Sequence, residues 1–128
     1  MLTLNSLAPS ERRTLILIYR YVYREGRTSR CFTYQGLRSW IHYALPKHER
    51  PEWHTVERAI RRLAELEVVR RLRRGRKVIF CPGKHWHQLL VEYRGVLSQA
   101  VKLEEPYRSL LHYLPGHKTW DRMRNRGI

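Results

Sequence analysis

HTVERAIRRLAELEVVRRLRRGRKVIF, residues 54–80, changes its periodicity halfway along. Val56, Ala59, Ile60, Leu63 and Leu66 recur at three- and four-residue intervals, the spacing of a helix with one apolar face, while Arg58, Arg61, Arg62 and Glu65 take the other face. The run EVVRRL then shifts to β-branched residues, so the helix is expected to yield near Leu66–Glu67. Val68, Val69 and Leu72 predict a short strand, and Val78, Ile79 and Phe80 its antiparallel partner. Arg74 and Gly75 sit where the hairpin must turn, with Gly75 able to take a positive φ, and Pro82–Gly83 end the second strand.

Upstream, Pro9 and Ser10 open a periodic segment in which Ser10 is the expected cap. Leu15, Ile16, Tyr19, Val22 and Tyr23 form its apolar side, and Gly26 stops it. A second helix is expected from Thr33, carried by Leu37, Trp40, Ile41, Ala44 and Leu45 and ended by Pro46. PKHERPEWH, residues 46–54, reads as a connection in which Pro51 suits the first turn of the third helix and Trp53 anchors the loop against the core. Tyr19, Tyr21, Tyr23 and Tyr43 all fall at core-like helical positions.

Downstream of the hairpin, Trp86, Leu89, Leu90, Tyr93, Leu97, Ala100 and Val101 mark a helix over roughly 85–103, which Gly95 weakens without ending. A short helix is expected over Pro106–Leu114, followed by a basic tail. The fold class is therefore α+β: three helices, a two-stranded hairpin and additional C-terminal helices. Residues 10–82 are expected to form the main domain and 84–128 a helical extension.

The charge narrows the partners. The 128 residues carry 26 Lys and Arg against 11 acidic groups, a net charge of +15, and 21 of the 26 are Arg. Nine basic side chains lie between Arg58 and Lys77 against Glu65 and Glu67, so these residues alone hold +7. Nucleic acid is the first polyanion such a balance suggests, ahead of an anionic membrane or an acidic protein. No run of eighteen apolar residues suggests a spanning helix, and the N-terminus has no secretory pattern. Cys31 and Cys81 exclude a disulfide scaffold. A reduced cytosolic setting is the default, with one disulfide left open.

Three helices followed by a two-stranded wing resemble the winged helix-turn-helix domain. HTVERAIRRLAELEVVRRLRRGRKVIF is similar to the recognition helix and wing of bacterial and archaeal winged-helix regulators, with Thr55, Val56, Arg58, Ile60 and Leu63 at the matching positions. The resemblance covers roughly Ser10 to Pro82. Two departures stand out: the connection from Pro46 to Pro51 is long, and Glu67 stands where such proteins often place Gly.

The resemblance implies a DNA-binding protein whose third helix enters the major groove of double-stranded DNA. Arg58 and Arg61 would read guanine edges, where a guanidinium fork matches O6 and N7. Arg62 would clamp a phosphate, and His54 and Thr55 would meet backbone or a thymine methyl, Thr55 being equally readable as the helix cap. Glu57 would accept from cytosine or orient Arg61. Arg73, Arg74, Arg76 and Lys77 at the wing would reach a minor groove or its phosphates. The expected function is sequence-specific regulation of transcription, in the cytoplasm and on the nucleoid when bound. A replication or DNA-transfer accessory, a protein-binding scaffold and an RNA binder are the alternatives, and a larger transcription or DNA-processing complex is an expected setting. Leu89, Leu90, Tyr93, Leu97 and Val101 are expected to form a homodimer seam, or else to pack back on the first helix as a lid.

No catalytic or metal centre is expected. His85 and His87 in HWH point apart on a helix, and no close cysteine pair completes a ligand set. There is no glycine-rich phosphate loop, paired catalytic carboxylates or nucleophile elbow, and no cofactor is implied.

Overall fold

Residues 1–102 are described by the computed structural model, with side chains through Ser98. The expected short helix over 106–114 and the basic tail lie outside the described residues.

The first helix, α1 (Pro9–Val22), is the mast of the fold. Pro9 occupies its first turn, where a missing N–H costs nothing, and the cap is Ala8 rather than the expected Ser10. The exposed Ala8 N–H is instead satisfied by the Glu11 carboxylate at 3.0 Å. Every residue from Thr14 to Tyr19 is buried, as are Tyr21 and Val22. One apolar side was expected. The helix is enclosed almost all round because the helices that follow it in the chain surround it, which is why its apolar residues are contiguous rather than strictly periodic.

The second helix, α2 (Tyr34–Ala44), starts where Thr33 Oγ accepts from Gly36 N at 3.0 Å, and it buries Leu37, Trp40 and Ile41. Tyr43 corrects the sequence reading: it points outward and is 89% exposed. The long connection holds a 3₁₀ turn over Lys47–Glu49. Arg50 folds back to close the end of α2, its guanidinium donating to the carbonyls of Leu45 and His42 at 2.9 and 2.8 Å. A cation on the last carbonyls of a helix complements both its unpaired acceptors and its dipole. The length of the loop is thus used to bring that cation home.

The third helix, α3 (Trp53–Glu65), buries Val56, Ala59, Ile60 and Leu63. Trp53 packs edge-on against Tyr34, 6.1 Å between centroids, and so anchors the loop at the start of α2. The exit from α3 is made by Glu67 at φ 60°, the left-handed conformation that glycine takes most readily. Its carbonyl accepts from His85 N at 3.0 Å, and Gly83 N donates to Val68 O at 3.0 Å. A Cβ on Gly83 would lie 2.5 Å from the Glu67 oxygen. The two chain passages can approach this closely only with glycine on one side.

The hairpin runs further toward its tip than expected, by two residues past Leu72 and one before Val78: β1 spans Val69–Arg74 and β2 Lys77–Pro82. Arg74 pairs with Lys77, leaving Gly75 and Arg76 as the two-residue turn with Gly75 at φ 62°. β2 also carries a partner on its other edge. Phe32 and Phe80 exchange both backbone hydrogen bonds at 2.8 Å, so a one-residue strand between α1 and α2 completes the sheet. Cys31 and Cys81 face each other beside that pair, with Cα atoms 4.1 Å apart, and form a disulfide. The default expectation of two separate thiols is corrected.

The fourth helix, α4 (Trp86–Lys102), closes the core. Trp86, Leu89, Leu90 and Tyr93 are buried, and the rings of Trp86 and Tyr93 pack on Tyr19 of α1. Tyr19 donates to the Trp86 carbonyl at 2.8 Å, and Trp86 Nε1 donates to Tyr23 Oη at 3.1 Å. Burial raises the phenols of Tyr19 and Tyr93 far above their ordinary value, with the neighbouring Tyr23 adding to the rise at Tyr19. The first residues of the chain strap across α4: Leu4 N donates to the Glu92 carboxylate and Gln88 Nε2 to the Leu2 carbonyl at 2.6 Å.

Leu89, Leu90 and Tyr93, expected at a dimer seam or a lid, are buried in the chain's own core, and Leu97 is half-buried against it. The side chain of Val101 lies outside the described residues.

Candidate nucleic-acid interface

The order of helix, helix, helix, hairpin and helix is a winged-helix-like topology. The roll of α3 within it is set by Val56, Ala59, Ile60 and Leu63. With these inward, His54, Arg58, Arg61 and Glu65 line up along the opposite face at the i, i+4, i+7, i+11 spacing, all exposed, with Arg62 exposed beside them. Amphipathic patterning therefore does more than bury the aliphatics: it fixes which cations face solvent together.

The expected site residues divide by what they already touch. Arg61 is exposed. Arg58 is also exposed and leans back along the helix, its Nε 3.5 Å from the His54 carbonyl, a long and weak contact. Arg62 pairs with Glu65 at 3.0 Å. That pair is exposed on both sides and carries little energy, so the guanidinium is readily drawn to a stronger anion. Glu57 does not meet Arg61 as one reading had it; its carboxylate lies 3.8 Å from His54 Nδ1. Thr55 is not the cap, since Glu52 holds that position and accepts from Thr55 N at 3.1 Å.

Thr55 and Arg58 border a shallow cleft of about 260 Å³, closed on its far side by Ser10 and Glu11 at the start of α1. Ser10, expected as a cap, therefore lies beside the exposed face of α3. Arg38 on α2 is a second residue the sequence reading missed: it is exposed and its guanidinium sits 5.4 Å from the Trp53 ring centre, next to the first turn of α3. Spatial adjacency between helices separated by a long loop leaves no local signal in sequence.

The wing is basic on both faces. Cross-strand partners share a face, which places Arg71 and Arg73 with Phe80 and Val78, and Arg70 and Arg74 with Cys81 and Lys77. Arg70 through Lys77 are exposed throughout, so Arg70 and Arg71 join the expected Arg73, Arg74, Arg76 and Lys77. No acidic residue occurs between Glu67 and Glu92 in the sequence. Arg74 and Lys77 stand directly opposite each other in the ladder, a like-charge pairing that costs stability on its own. Among the described residues β1 is also the open edge of the sheet, and a charged edge discourages strand-to-strand association with other copies. That structural duty explains some of the arginine, but not a repulsive pair at the tip.

Among the described residues, no three His, Cys, Asp or Glu side chains gather where a metal could be held, and no helix is long and apolar enough to cross a membrane. No protein-family model, curated protein or solved structure matches this chain.

Proposed function

We propose that the chain is a sequence-specific double-stranded DNA-binding protein that regulates transcription. The observation that carries this reading is the shared outward orientation of Arg58 and Arg61 on a helix whose roll is fixed by a buried face, next to a wing whose six basic residues have no acidic partner among the described residues. A planar guanidinium on an exposed helix face suits guanine edges in the major groove, while cations on a two-residue hairpin tip suit phosphates or the narrower groove beside it. Arg62 on α3, with Arg38 and Ser10 flanking it, stands where backbone phosphates would run. The winged-helix-like order supports this docking mode by analogy; the residues supply the chemistry.

The test is selection of bound genomic duplex fragments followed by footprinting of the enriched sequence. An enriched short sequence is expected. Arg58→Ala or Arg61→Ala should then cost about 1–3 kcal/mol and relax preference at one position. Arg73→Ala with Arg74→Ala and Arg76→Ala should weaken all duplexes alike and flatten the dependence of log affinity on log salt by up to about three units. Equal retention of duplex affinity in both sets of variants would refute the interface.

A further inference from the structure

We propose that the Cys31–Cys81 bond is a redox control on the wing, tightening duplex binding when closed and weakening it when opened by a dithiol. The proposal rests on the duplex-binding reading above and adds a regulatory site to it. Cys31 belongs to the connector between α1 and α2, and Cys81 to β2, the strand that carries β1 and the basic tip. Apart from the sulfur bridge, the connector meets the sheet backbone through one residue pair, Phe32 with Phe80. A one-pair strand is a weak tie, because the cost of ordering the connector is set against two hydrogen bonds.

The same short segment governs more than the sheet. Thr33, two residues beyond Cys31, caps α2. Tyr34 follows and rests on both Phe80 and Trp53, with ring centres 4.8 and 6.1 Å away. Cys81 stands directly opposite Arg70 in the ladder. Closing the bond therefore fastens the start of α2, the first residue of α3 and the root of the wing into one unit. Opening it leaves the hydrophobic core in place, with Val68, Val69 and Phe80 still buried in it, and loosens the hold of the connector and the start of α2 on β2 at the wing root. Helix and wing must address one duplex together, so a looser root lowers affinity without abolishing the helix contacts.

The chemistry balances with an ordinary dithiol as the electron donor. Cys31 is the more exposed of the two residues, half-buried where Cys81 is buried, which makes its sulfur the expected point of attack. The reagent's thiolate attacks Cys31 Sγ, the Sγ–Sγ bond breaks, and Cys81 leaves as a thiolate that takes a proton from water. The reagent's second thiol, as thiolate, attacks the mixed disulfide and releases Cys31 in the same way. The protein gains two electrons and two protons, and the reagent ends as its own disulfide. A disulfide reagent of the same class runs the reaction backwards.

The experiment uses the full chain and a short mixed-sequence duplex at fixed low salt, with free thiols counted by alkylation and mass spectrometry. Closed protein should bind about fivefold or more tightly than protein shown to carry two thiols. C31S/C81S should bind like the reduced form and ignore the dithiol. R73A/R74A/R76A should bind weakly and equally in both redox states. Amide exchange at Phe32 and Phe80 should quicken on reduction while that of Leu89 and Leu90 in α4 stays protected. Equal affinity of the closed and opened protein overturns the control while leaving duplex binding intact. A bond that resists dithiol until the chain is denatured, or loss of α4 protection on reduction, overturns it as well, since either makes the bond a structural staple. Failure of the closed form to bind any duplex refutes the functional reading beneath it.

Discussion

Replacing Glu67 with glycine should stabilise this protein relative to alanine at the same place, although glycine normally weakens a chain. Glu67 adopts φ 60° at the exit from α3, is exposed, and makes no side-chain hydrogen bond or ion pair with the described residues. An L side chain in this conformation costs on the order of 1–2 kcal/mol, and glycine escapes that cost. Glycine's extra freedom in the unfolded chain takes back about 0.5–1 kcal/mol. The expected difference between E67G and E67A is therefore about 1 kcal/mol in favour of glycine, or roughly 4 °C in melting midpoint. Both variants remove the carboxylate, so the comparison cancels its charge. E67N should fall between them, because asparagine tolerates the left-handed region. Urea unfolding with the disulfide intact, read at constant m-value, measures the difference. Stability of E67A equal to or above that of E67G would show that the exit is not left-handed, and the placement of the wing against α3 would need redrawing.

Three further outcomes follow from packing and protonation. Removing the disulfide as C31S/C81S closes no loop across a separation of 50 residues, for which chain entropy predicts a loss of up to about 4 kcal/mol, measurable by the same urea titration. Leu89→Ala should cost about 3 kcal/mol because the side chain is fully buried within one chain, and sedimentation should show no change in oligomeric state. Alkaline titration should destabilise the fold above about pH 10: the buried Tyr19 and Tyr93 phenols hold their protons where the unfolded chain releases them, so their contribution is complete below the ordinary tyrosine value and declines as pH rises beyond it.

Sequence periodicity captured what is local. The stripe from Val56 to Leu63, the switch to strand after Glu67 and the turn at Gly75 are each written within a few neighbouring residues, and the structure holds all three. The fourth helix was equally legible, but its destination was not: Leu89, Leu90 and Tyr93 look the same whether they meet a second copy or α1. The Phe32–Phe80 pair was invisible because a one-residue strand has no period to detect, and without it nothing in the sequence brought Cys31 and Cys81 together, so their disulfide stayed an open option. Arg38 and Ser10 flank α3 only through the way α1 and α2 pack around it. Glu67 carried a partial signal, since the absence of glycine announced an awkward exit without saying that the residue would accept it.

The enclosure of α1 has an evolutionary corollary. From Thr14 to Tyr19 no position can grow, shrink or charge without disturbing three neighbouring helices, whereas the exposed arginines of α3 and the wing can be exchanged at little structural expense. Descendants of a common ancestor should therefore diverge fastest on the exposed cationic surface and slowest in the enclosed segment. Distant kin of this chain would be recognised by TLILIY and the aromatic collar around it, not by the cationic surface that first attracts the eye.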